Sequence, residues 1–389
     1  MNTPLHTKLR SIEGIRGVAC LMVFLSHLSS TFAPSMHTGS ASQTKTPIDM
    51  LLHNSPFAFI YSGAAAVGIF FVLSGFIIGY ALLEKGDLFT NASSMAVKRY
   101  FRLLPVALFS VILAFLIFRF AHVNVSALSD WAINYDIKSP SLISAIYSGS
   151  VNAFFSGSSE YNWSLWTMKI EFFGTLLICL LSVISAHTEY KKIIIIPFIL
   201  IPFLMNLKAG DAIYYASFCS GLLIYFMKSK LKLTMGIISF LIGLYLCGFH
   251  TTSISYHWLN SILSISLGGN KIDNYLLINN IGGFLVVLSV LKCAFLDKIL
   301  SGDLFIKMGA LSFSVYAIHQ PLMHLMCPLI FNDMILRGLT YAKSSLIASL
   351  LTLTAVYMLA IPVHKYVDSF SVKLSNRLKD VIIRKPDSL

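Results

Sequence analysis

Charged residues are scarce in this chain of 389 residues, where Asp, Glu, Lys and Arg together make up 12%. A soluble domain normally carries about 25% charged residues, and 56% of this sequence is hydrophobic. The composition therefore excludes an ordinary soluble domain and predicts a polytopic membrane protein. The segment 61–83 supports this prediction, because its 23 residues carry no charge and can span a bilayer by themselves.

Cysteine and acidic residues are also rare. The six cysteines all lie in apolar runs and none forms a CxxC pair, so we expect neither a disulfide framework nor a metal site. Asp and Glu number 17 against 29 Lys and Arg, which gives a formal charge of +12. Because the basic residues fall in short loops between apolar runs, membrane orientation explains this excess and nucleic-acid binding is not needed.

Apolar segments recur along the whole chain. Ten of them are candidate spans: residues 15–33, 61–83, 103–120, 163–186, 193–208, 212–227, 233–250, 275–292, 308–331 and 344–363. We therefore predict an all-α fold, a polytopic bundle of about ten transmembrane helices. With the N-terminus inside, inner segments carry 20 Lys and Arg residues and outer segments carry six, which favours two cytoplasmic termini. The predicted domains are a transmembrane domain at 1–365 and a basic cytoplasmic tail at 366–389.

The first predicted span contains two ionisable residues, Arg16 and His27. Their separation corresponds to about 16 Å along a helix and to about 20° around it. One helix would therefore direct a permanent cation and a titratable base into the same interior, at two depths. Ionisable groups inside a span are costly and often functional. An arginine that reaches the interface and a hydrogen-bonded core histidine would explain the same pattern.

Three further sites carry polar groups that could take part in chemistry. Arg99 and Arg102 share a helix face and suit phosphate oxygens, although anchoring beside anionic lipid is a second explanation. Glu171 lies inside a predicted span and needs a partner, for which Arg or protonated His is the natural candidate. His319 lies two residues before Pro321, so a backbone carbonyl freed by that proline could satisfy it without any catalytic role.

Five segments, in this order, resemble the motifs of the acyltransferase 3 superfamily of integral membrane acyltransferases. They are Glu13-Gly14-Ile15-Arg16-Gly17 with His27, FFVLSGF at 70–76, KRYFRLLP at 98–105, WTMKIE at 166–171 and SFSVYAIHQP at 312–321. Three positions depart from the family pattern, since Glu13 replaces the commoner Asp, Lys98 replaces an Arg and Thr167 replaces a Ser. Each change keeps the carboxylate, the cation or the hydroxyl.

The resemblance implies acyl transfer from a cytoplasmic acyl-CoA, usually acetyl-CoA, to a hydroxyl of a cell-surface or lipid-linked carbohydrate. It implies these site residues: Arg16, Arg99 and Arg102 for donor binding, His27 and Glu171 for catalysis, and His319 and Ser74 as further site residues. Glu171 would orient the His27 ring if the two meet across the bundle. The implied location is the bacterial inner membrane, with acyl-CoA, carbohydrate and membrane lipids as partners, and with no metal or nucleic acid; no oligomeric state is implied.

Two other classes of function remain open. A glycan or lipid transporter, or a catalytically inactive relative, would also place polar groups inside the membrane but would not need His27 as a base. The membrane-bound O-acyltransferase class also uses a membrane histidine, but it lacks the opening that carries Arg16 and His27. Release of coenzyme A in the presence of a carbohydrate acceptor distinguishes the enzyme from the transporter.

Overall fold

A computed structural model describes residues 4–84, 86–205, 207, 209–262, 266–267 and 270–382. The α-helices, numbered in chain order, are α1 Pro4–Phe32, α2 Ser35–Thr38, α3 Pro47–His53, α4 Gly63–Leu83, α5 Leu88–Phe120, α6 Asp130–Ile133, α7 Leu142–Tyr147, α8 Thr167–Ala186, α9 Lys191–Leu204, α10 Ala209–Phe226, α11 Leu233–Cys247, α12 His257–Ile262, α13 Asn274–Lys292, α14 Ala294–Leu300, α15 Asp303–Leu336, α16 Tyr341–Pro362 and α17 Ser369–Ile382. The 3-10 helices are Ala41–Gln43, Ala58–Tyr61, Trp163–Trp166 and Ile254–Tyr256, and the π-helical segments are Ser148–Ser156 and Val363–Asp368. Two short strands, β1 (Ser266–Leu267) and β2 (Asn270–Lys271), pair antiparallel. With 82% of the residues in helices, the predicted all-α class is confirmed.

Each of the ten predicted spans overlaps one helix: α1, α4, α5, α8, α9, α10, α11, α13, α15 and α16. Among the described residues, six helical segments are long and apolar enough to cross a membrane, and the α14–α15 pair, bent by 69°, would make a seventh. Helices α9 and α11 have only 14 and 15 residues. The chain is therefore a multi-pass membrane protein, while the count of about ten spans and the cytoplasmic termini stay predictions.

Helix α4 lies at the centre of the bundle, where it packs against α1, α8, α10 and α13. Its small residues allow the neighbouring backbones to approach closely. A Cβ atom added at Gly75 would lie 1.9 Å from the carbonyl oxygen of Phe218 in α10. From the other helix, a Cβ atom added at Gly221 of α10 would lie 2.0 Å from the carbonyl oxygen of Val72 in α4. The two helices therefore pack backbone to backbone, which explains why glycines stand at their crossing.

A similar close approach joins α1 to α14 and α15. A Cβ atom at Gly14 would lie 1.9 Å from the carbonyl oxygen of Leu300, and a Cβ atom at Gly309 would lie 1.9 Å from that of Glu13. The glycine beside Glu13 in the first motif is therefore required by packing. This crossing fixes the depth of Arg16 relative to α15, the helix that carries the fifth motif at 312–321.

Replacing Gly309 with Ala should destabilise the bundle. The new methyl group would meet a backbone carbonyl, which cannot move aside as the end of a flexible side chain can, and overpacking a core typically costs about 1–3 kcal/mol. Thermal unfolding in detergent measures the loss. Gly86→Ala is the matched control, because no described atom lies within 4 Å of a Cβ atom at Gly86. Equal midpoints for the two variants would contradict the close packing of α1 and α15.

Pro321 interrupts the hydrogen bonding of α15 beside the predicted site. A proline has no N–H, so the carbonyl of Ala317, four residues earlier, loses its partner within the helix. Asn162 Nδ2 and Ser110 Oγ donate to that carbonyl at 2.8 and 2.6 Å. Helices α5 and α15 and the segment before α8 thus meet at a satisfied polar junction, two residues from His319.

The predicted tail at 366–389 continues the helical chain of α16. The π-helical segment Val363–Asp368 leads directly into α17, which packs along α5. Arg102 Nη1 forms an ion pair with Asp368 at 2.7 Å and donates to Ser371 Oγ at 2.5 Å. The described part of the predicted tail is therefore a packed helix, and residues 383–389 lie outside the described residues. The division into two domains stays a prediction.

Candidate active site

A cavity of about 270 Å³ lies between α1, α4, α5, α8 and α15. All three arginines predicted to bind the donor line it, Arg16 from α1 and Arg99 and Arg102 from α5. Ser74 of α4 and Glu171 of α8 line it as well. The structure thus brings together five predicted site residues that are distant in the sequence. We call this space the arginine cavity.

Carboxylates hold all three arginines in place, and for Arg102 the partner is Asp368. Arg99 Nη2 forms an ion pair with Glu171, whose other carboxylate oxygen accepts a hydrogen bond from Ser74 Oγ at 2.8 Å. Arg16 Nη1 is paired with Glu13 at 2.9 Å. A charge in a low-dielectric interior is costly unless it is paired and hydrogen-bonded. These contacts therefore explain how the cavity can hold charged arginines before any ligand binds.

Arg99 also retains a donor that a ligand could use. Its Nε atom is buried and has no hydrogen-bond partner among the described residues. Buried polar groups are normally paired, and a guanidinium presents five N–H donors in a planar fork. An oxyanion bound in the arginine cavity would satisfy this donor. The arrangement therefore suits an anionic ligand such as a phosphate ester.

A second cavity, of about 360 Å³, lies nearer the C-terminal end of α1. His27 lines it, as does Gln320 of α15. Its aromatic wall is formed by Trp131, Trp163, Trp166, Tyr214 and Tyr275. We call this space the aromatic cavity. Aromatic rings combine large apolar faces with polar edges, so the cavity suits a ligand that is itself apolar on one face and polar at its rim.

The two cavities adjoin at Val67 and Tyr316, which line both of them. On α1, Arg16 lines the arginine cavity and His27 lines the aromatic cavity. The hydroxyl oxygen of Tyr316 lies 2.8 Å from Thr167 Oγ1, so the threonine of the fourth motif holds the tyrosine in position. The two cavities are therefore separated by side chains that line both of them.

His27 and His319 form a hydrogen-bonded pair. The distance from His319 Nε2 to His27 Nδ1 is 2.9 Å, and the ring planes are inclined by 21° with centroids 4.9 Å apart. His319 Nδ1 lies 2.7 Å from the carbonyl oxygen of Tyr316, and because a carbonyl only accepts, Nδ1 carries the proton. In a neutral His319, Nε2 is then the acceptor and His27 donates through Nδ1. This leaves Nε2 of His27 unprotonated, which is the form that a general base needs.

The partner of His27 differs from the one that the sequence suggested. We expected Glu171 to orient His27, but Glu171 lies in the arginine cavity against Arg99, and His319 lies against His27. The reason is depth in the bundle. Thr167 already contacts the wall between the cavities, and Glu171 is one helical turn, about 6 Å, further along α8.

Sequence reasoning missed Gln320 and most of the aromatic cavity. Gln320 Oε1 accepts a hydrogen bond from the backbone N–H of Ser164 at 2.9 Å, which identifies the oxygen of this amide. Gln320 Nε2 is buried and has no hydrogen-bond partner among the described residues. The available signal for Gln320 was its position directly after His319, inside the fifth motif at 312–321. Trp131 lies in the short helix α6, within the long polar segment between the third and fourth predicted spans. No feature of the neighbouring sequence indicated that it belongs to the site.

Three more histidines lie near the aromatic cavity. The ring of His250 lies 5.3 Å from that of Tyr275, which lines the cavity, and 5.4 and 6.2 Å from those of His53 and His37. Burial first, and then the neighbouring imidazoles, lower the pKa values of His37 and His250 to about 4. Within the described ranges, no group of three or more His, Cys, Asp or Glu side chains is placed to hold a metal ion.

These lowered pKa values predict that the fold loses stability in acid. An unfolded histidine has a pKa near 6.5, so as the pH falls from about 6.5 to about 4 the unfolded chain binds protons that buried His37 and His250 do not. The free energy of unfolding falls by on the order of 3 kcal/mol for one such imidazole. This decrease levels off below pH 4. The apparent melting midpoint in detergent should fall over this window. His250→Phe should weaken the dependence, whereas a change at exposed His187 should leave it intact; a wild-type midpoint that is constant over the window would contradict it.

Comparison with known proteins supports the family resemblance that the five motifs carry. A family model described as an acyltransferase domain matches residues 9–363, a range that contains every residue named above for the two cavities. Searches of curated proteins and of solved structures find no significant match. The match covers most of the 389 residues. The chain therefore belongs to the acyltransferase 3 family and is a membrane acyltransferase.

Proposed function

We propose that this protein moves an acyl group, acetyl in the simplest case, from a cytoplasmic acyl-CoA to a hydroxyl of a cell-surface or lipid-linked carbohydrate. The observation that carries the proposal is the pair of adjoining cavities, one with three arginines and the other with His27, which share Val67 and Tyr316. The arginine cavity would bind the donor. The aromatic cavity would bind the acceptor.

Donor binding rests on the charges of the arginine cavity. Coenzyme A carries phosphate groups at one end and its thioester at the end of a long flexible arm. Arginine forks bind phosphate oxygens through paired, charge-assisted hydrogen bonds, and the buried Nε of Arg99 is a donor of this kind. Arg16 and His27 lie about 16 Å apart along α1. The arm can therefore follow this helix past Tyr316 and bring the thioester to His27.

Acceptor binding rests on the aromatic cavity. A sugar ring presents apolar C–H faces and polar hydroxyls at its rim, which matches the faces and edges of aromatic side chains. The ring centroids of Trp131 and His27 are 5.1 Å apart, and those of Trp131 and Trp163 are 5.9 Å apart. A sugar stacked on these tryptophans places a hydroxyl beside Nε2 of His27.

The transfer step uses His27 as a general base and then as a general acid. The acceptor hydroxyl loses its proton to Nε2 of His27, and its oxygen forms a bond to the thioester carbonyl carbon. The resulting tetrahedral intermediate collapses, the carbon–sulfur bond breaks, and the sulfur of coenzyme A takes the proton from His27. His319 accepts the hydrogen bond from Nδ1 of His27 and keeps the ring in one orientation.

Gln320 supplies a hydrogen-bond donor to the acceptor through its unpaired Nε2. Replacing Gln320 with Met removes this donor and also the oxygen that accepts from Ser164. The KM for the carbohydrate should rise by at least about 2- to 13-fold, since one neutral hydrogen bond contributes about 0.5–1.5 kcal/mol. The affinity for acyl-CoA should be unchanged, since Gln320 lines the aromatic cavity. Steady-state kinetics with each substrate varied in turn measure both effects. A weakened acyl-CoA affinity with an unchanged acceptor KM would contradict this role.

Release of coenzyme A tests the function. The purified protein in detergent receives acetyl-CoA with or without a bacterial surface carbohydrate, and a thiol reagent follows free coenzyme A. We expect release that depends on the carbohydrate and matches the amount of acetylated product found by mass spectrometry. Carbohydrate uptake into proteoliposomes without release of coenzyme A would favour the transporter instead.

A further inference from the structure

A larger cavity, of about 920 Å³, lies on a different side of α4 from the arginine cavity. Phe76 and Tyr80 of α4 line it, as does Glu84 directly after the helix, whereas Ser74 and Ile78 of α4 line the arginine cavity. Residues four apart share a helix face, so Phe76 and Tyr80 lie on one face and Ser74 and Ile78 on another. The body of α4 therefore separates the two cavities. The acyl-transfer mechanism makes no use of this third space, which we call the lysine cavity.

The lysine cavity carries an excess of positive charge. Its wall contains two carboxylates, Glu84 and Glu189, and four lysines: Lys191, Lys192, Lys228 and Lys292. Lys292 is only 8% exposed, and its ammonium group donates to the backbone carbonyl of Met227. A buried cation at the base of a basic cavity favours an anionic ligand.

The other wall of the lysine cavity is apolar and continues into an exposed apolar surface along α9. Ile193 lines the cavity and is 64% exposed, and exposed Ile196, Leu200 and Leu204 follow it along α9. Tyr225 also lines the cavity and donates to Glu84 at 2.9 Å. Cations and exposed apolar side chains therefore meet within one cavity.

We propose that the lysine cavity binds the head group of an anionic phospholipid. Its phosphate lies among Lys191, Lys192 and Lys228, and its acyl chains follow the apolar side of α9. Basic cavities between membrane helices bind lipid head groups in this way. Free phosphate would use the lysines but not the apolar wall, so the amphipathic shape of the cavity favours the lipid. The proposal is independent of the acyl-transfer reaction.

Lipid retention by the full chain tests this site. Native mass spectrometry of the protein from mixed micelles compares phosphatidylglycerol with phosphatidylcholine. We expect preferential retention of phosphatidylglycerol, lost on the order of 100-fold in K191Q/K192Q/K228Q, because each lysine beside an anionic lipid contributes about fivefold. The matched control K230Q/K298Q/K307Q removes the same charge at exposed positions outside the cavity and should retain the lipid. The single variant Lys192→Gln, at an exposed position, should lose about fivefold and shows the effect even if the triple variant fails to fold.

Competition distinguishes the sources of phosphate. Inorganic phosphate at the lipid concentration should not displace phosphatidylglycerol, and coenzyme A should not displace it either. Displacement by inorganic phosphate would replace the lipid site by a simple anion site. Displacement by coenzyme A would make the lysine cavity part of donor binding, and equal losses in the triple variant and its control would reduce the effect to general surface attraction. Each of these three outcomes overturns the proposal.

Discussion

Replacing His27 with Gln should slow acyl transfer by about 10²- to 10⁴-fold, the range that general acid–base catalysis contributes, with donor affinity nearly unchanged. Glutamine can still donate a hydrogen bond to His319 Nε2 through its amide, so the pairing across α1 and α15 survives. It cannot accept and return a proton as Nε2 of His27 does. The measurement is single-turnover acyl transfer at saturating donor, with acyl-CoA affinity determined separately.

His324→Gln is the matched control for His27→Gln. His324 is a buried histidine of α15. It lies 3.6 Å from Asp136 and does not line the arginine or aromatic cavity. Its replacement should leave the single-turnover rate close to that of the wild type. Near-wild-type turnover in His27→Gln would return His27 to a structural role and remove the base from the mechanism.

Replacing Arg99 and Arg102 together with Ala should weaken acyl-CoA binding by about 10- to 150-fold for each charge-assisted hydrogen bond lost, since such a bond contributes about 1.5–3 kcal/mol. Removing Arg99 alone would also strand the carboxylate of Glu171, with which it is paired. Removing Arg102 would likewise strand Asp368, its own partner. The double change is therefore made in a background of Glu171→Gln with Asp368→Asn, and this background alone is measured beside it. Binding of a non-hydrolysable acyl-CoA analogue is the readout.

Arg10→Ala with Asp303→Asn is the control for the loss of an arginine–carboxylate pair. Arg10 and Asp303 form an ion pair at 2.6 Å on the exposed surface, outside the arginine cavity. This variant should bind the acyl-CoA analogue as the wild type does. Lys in place of Arg102 should restore little affinity if the contact is bidentate, because lysine lacks the planar fork. Unchanged affinity in the Arg99 and Arg102 variant would favour anchoring to anionic lipid as their role.

The helices could be predicted from sequence because length and apolar composition are local properties. The uncharged run 61–83 became α4 at Gly63–Leu83, and the predicted span 275–292 became α13 at Asn274–Lys292. The grouping of Arg16 with Arg99 and Arg102 for donor binding came from the resemblance of the motifs to the acyltransferase 3 family. All three line the arginine cavity.

The partner of each polar side chain could not be predicted in the same way. Glu171 pairs with Arg99 rather than with His27, and His27 pairs with His319, which is 292 positions away. Such a choice depends on the rotation and depth of every helix in the bundle, and a shift of one turn moves a side chain about 5.4 Å. Glycines such as Gly309 set that depth through backbone contacts, and their effect is visible only once both helices are placed.

Transfer across a sealed membrane tests the central claim most directly, namely that donor and acceptor meet from the two adjoining cavities. Proteoliposomes with the protein in one sorted orientation receive acetyl-CoA on one side only and carbohydrate acceptor on the other side only. We expect acetylated carbohydrate and free coenzyme A to accumulate on opposite sides in equal amounts, and no product when His27→Gln replaces the wild type. Product that forms only when both substrates are supplied on the same side would contradict this account.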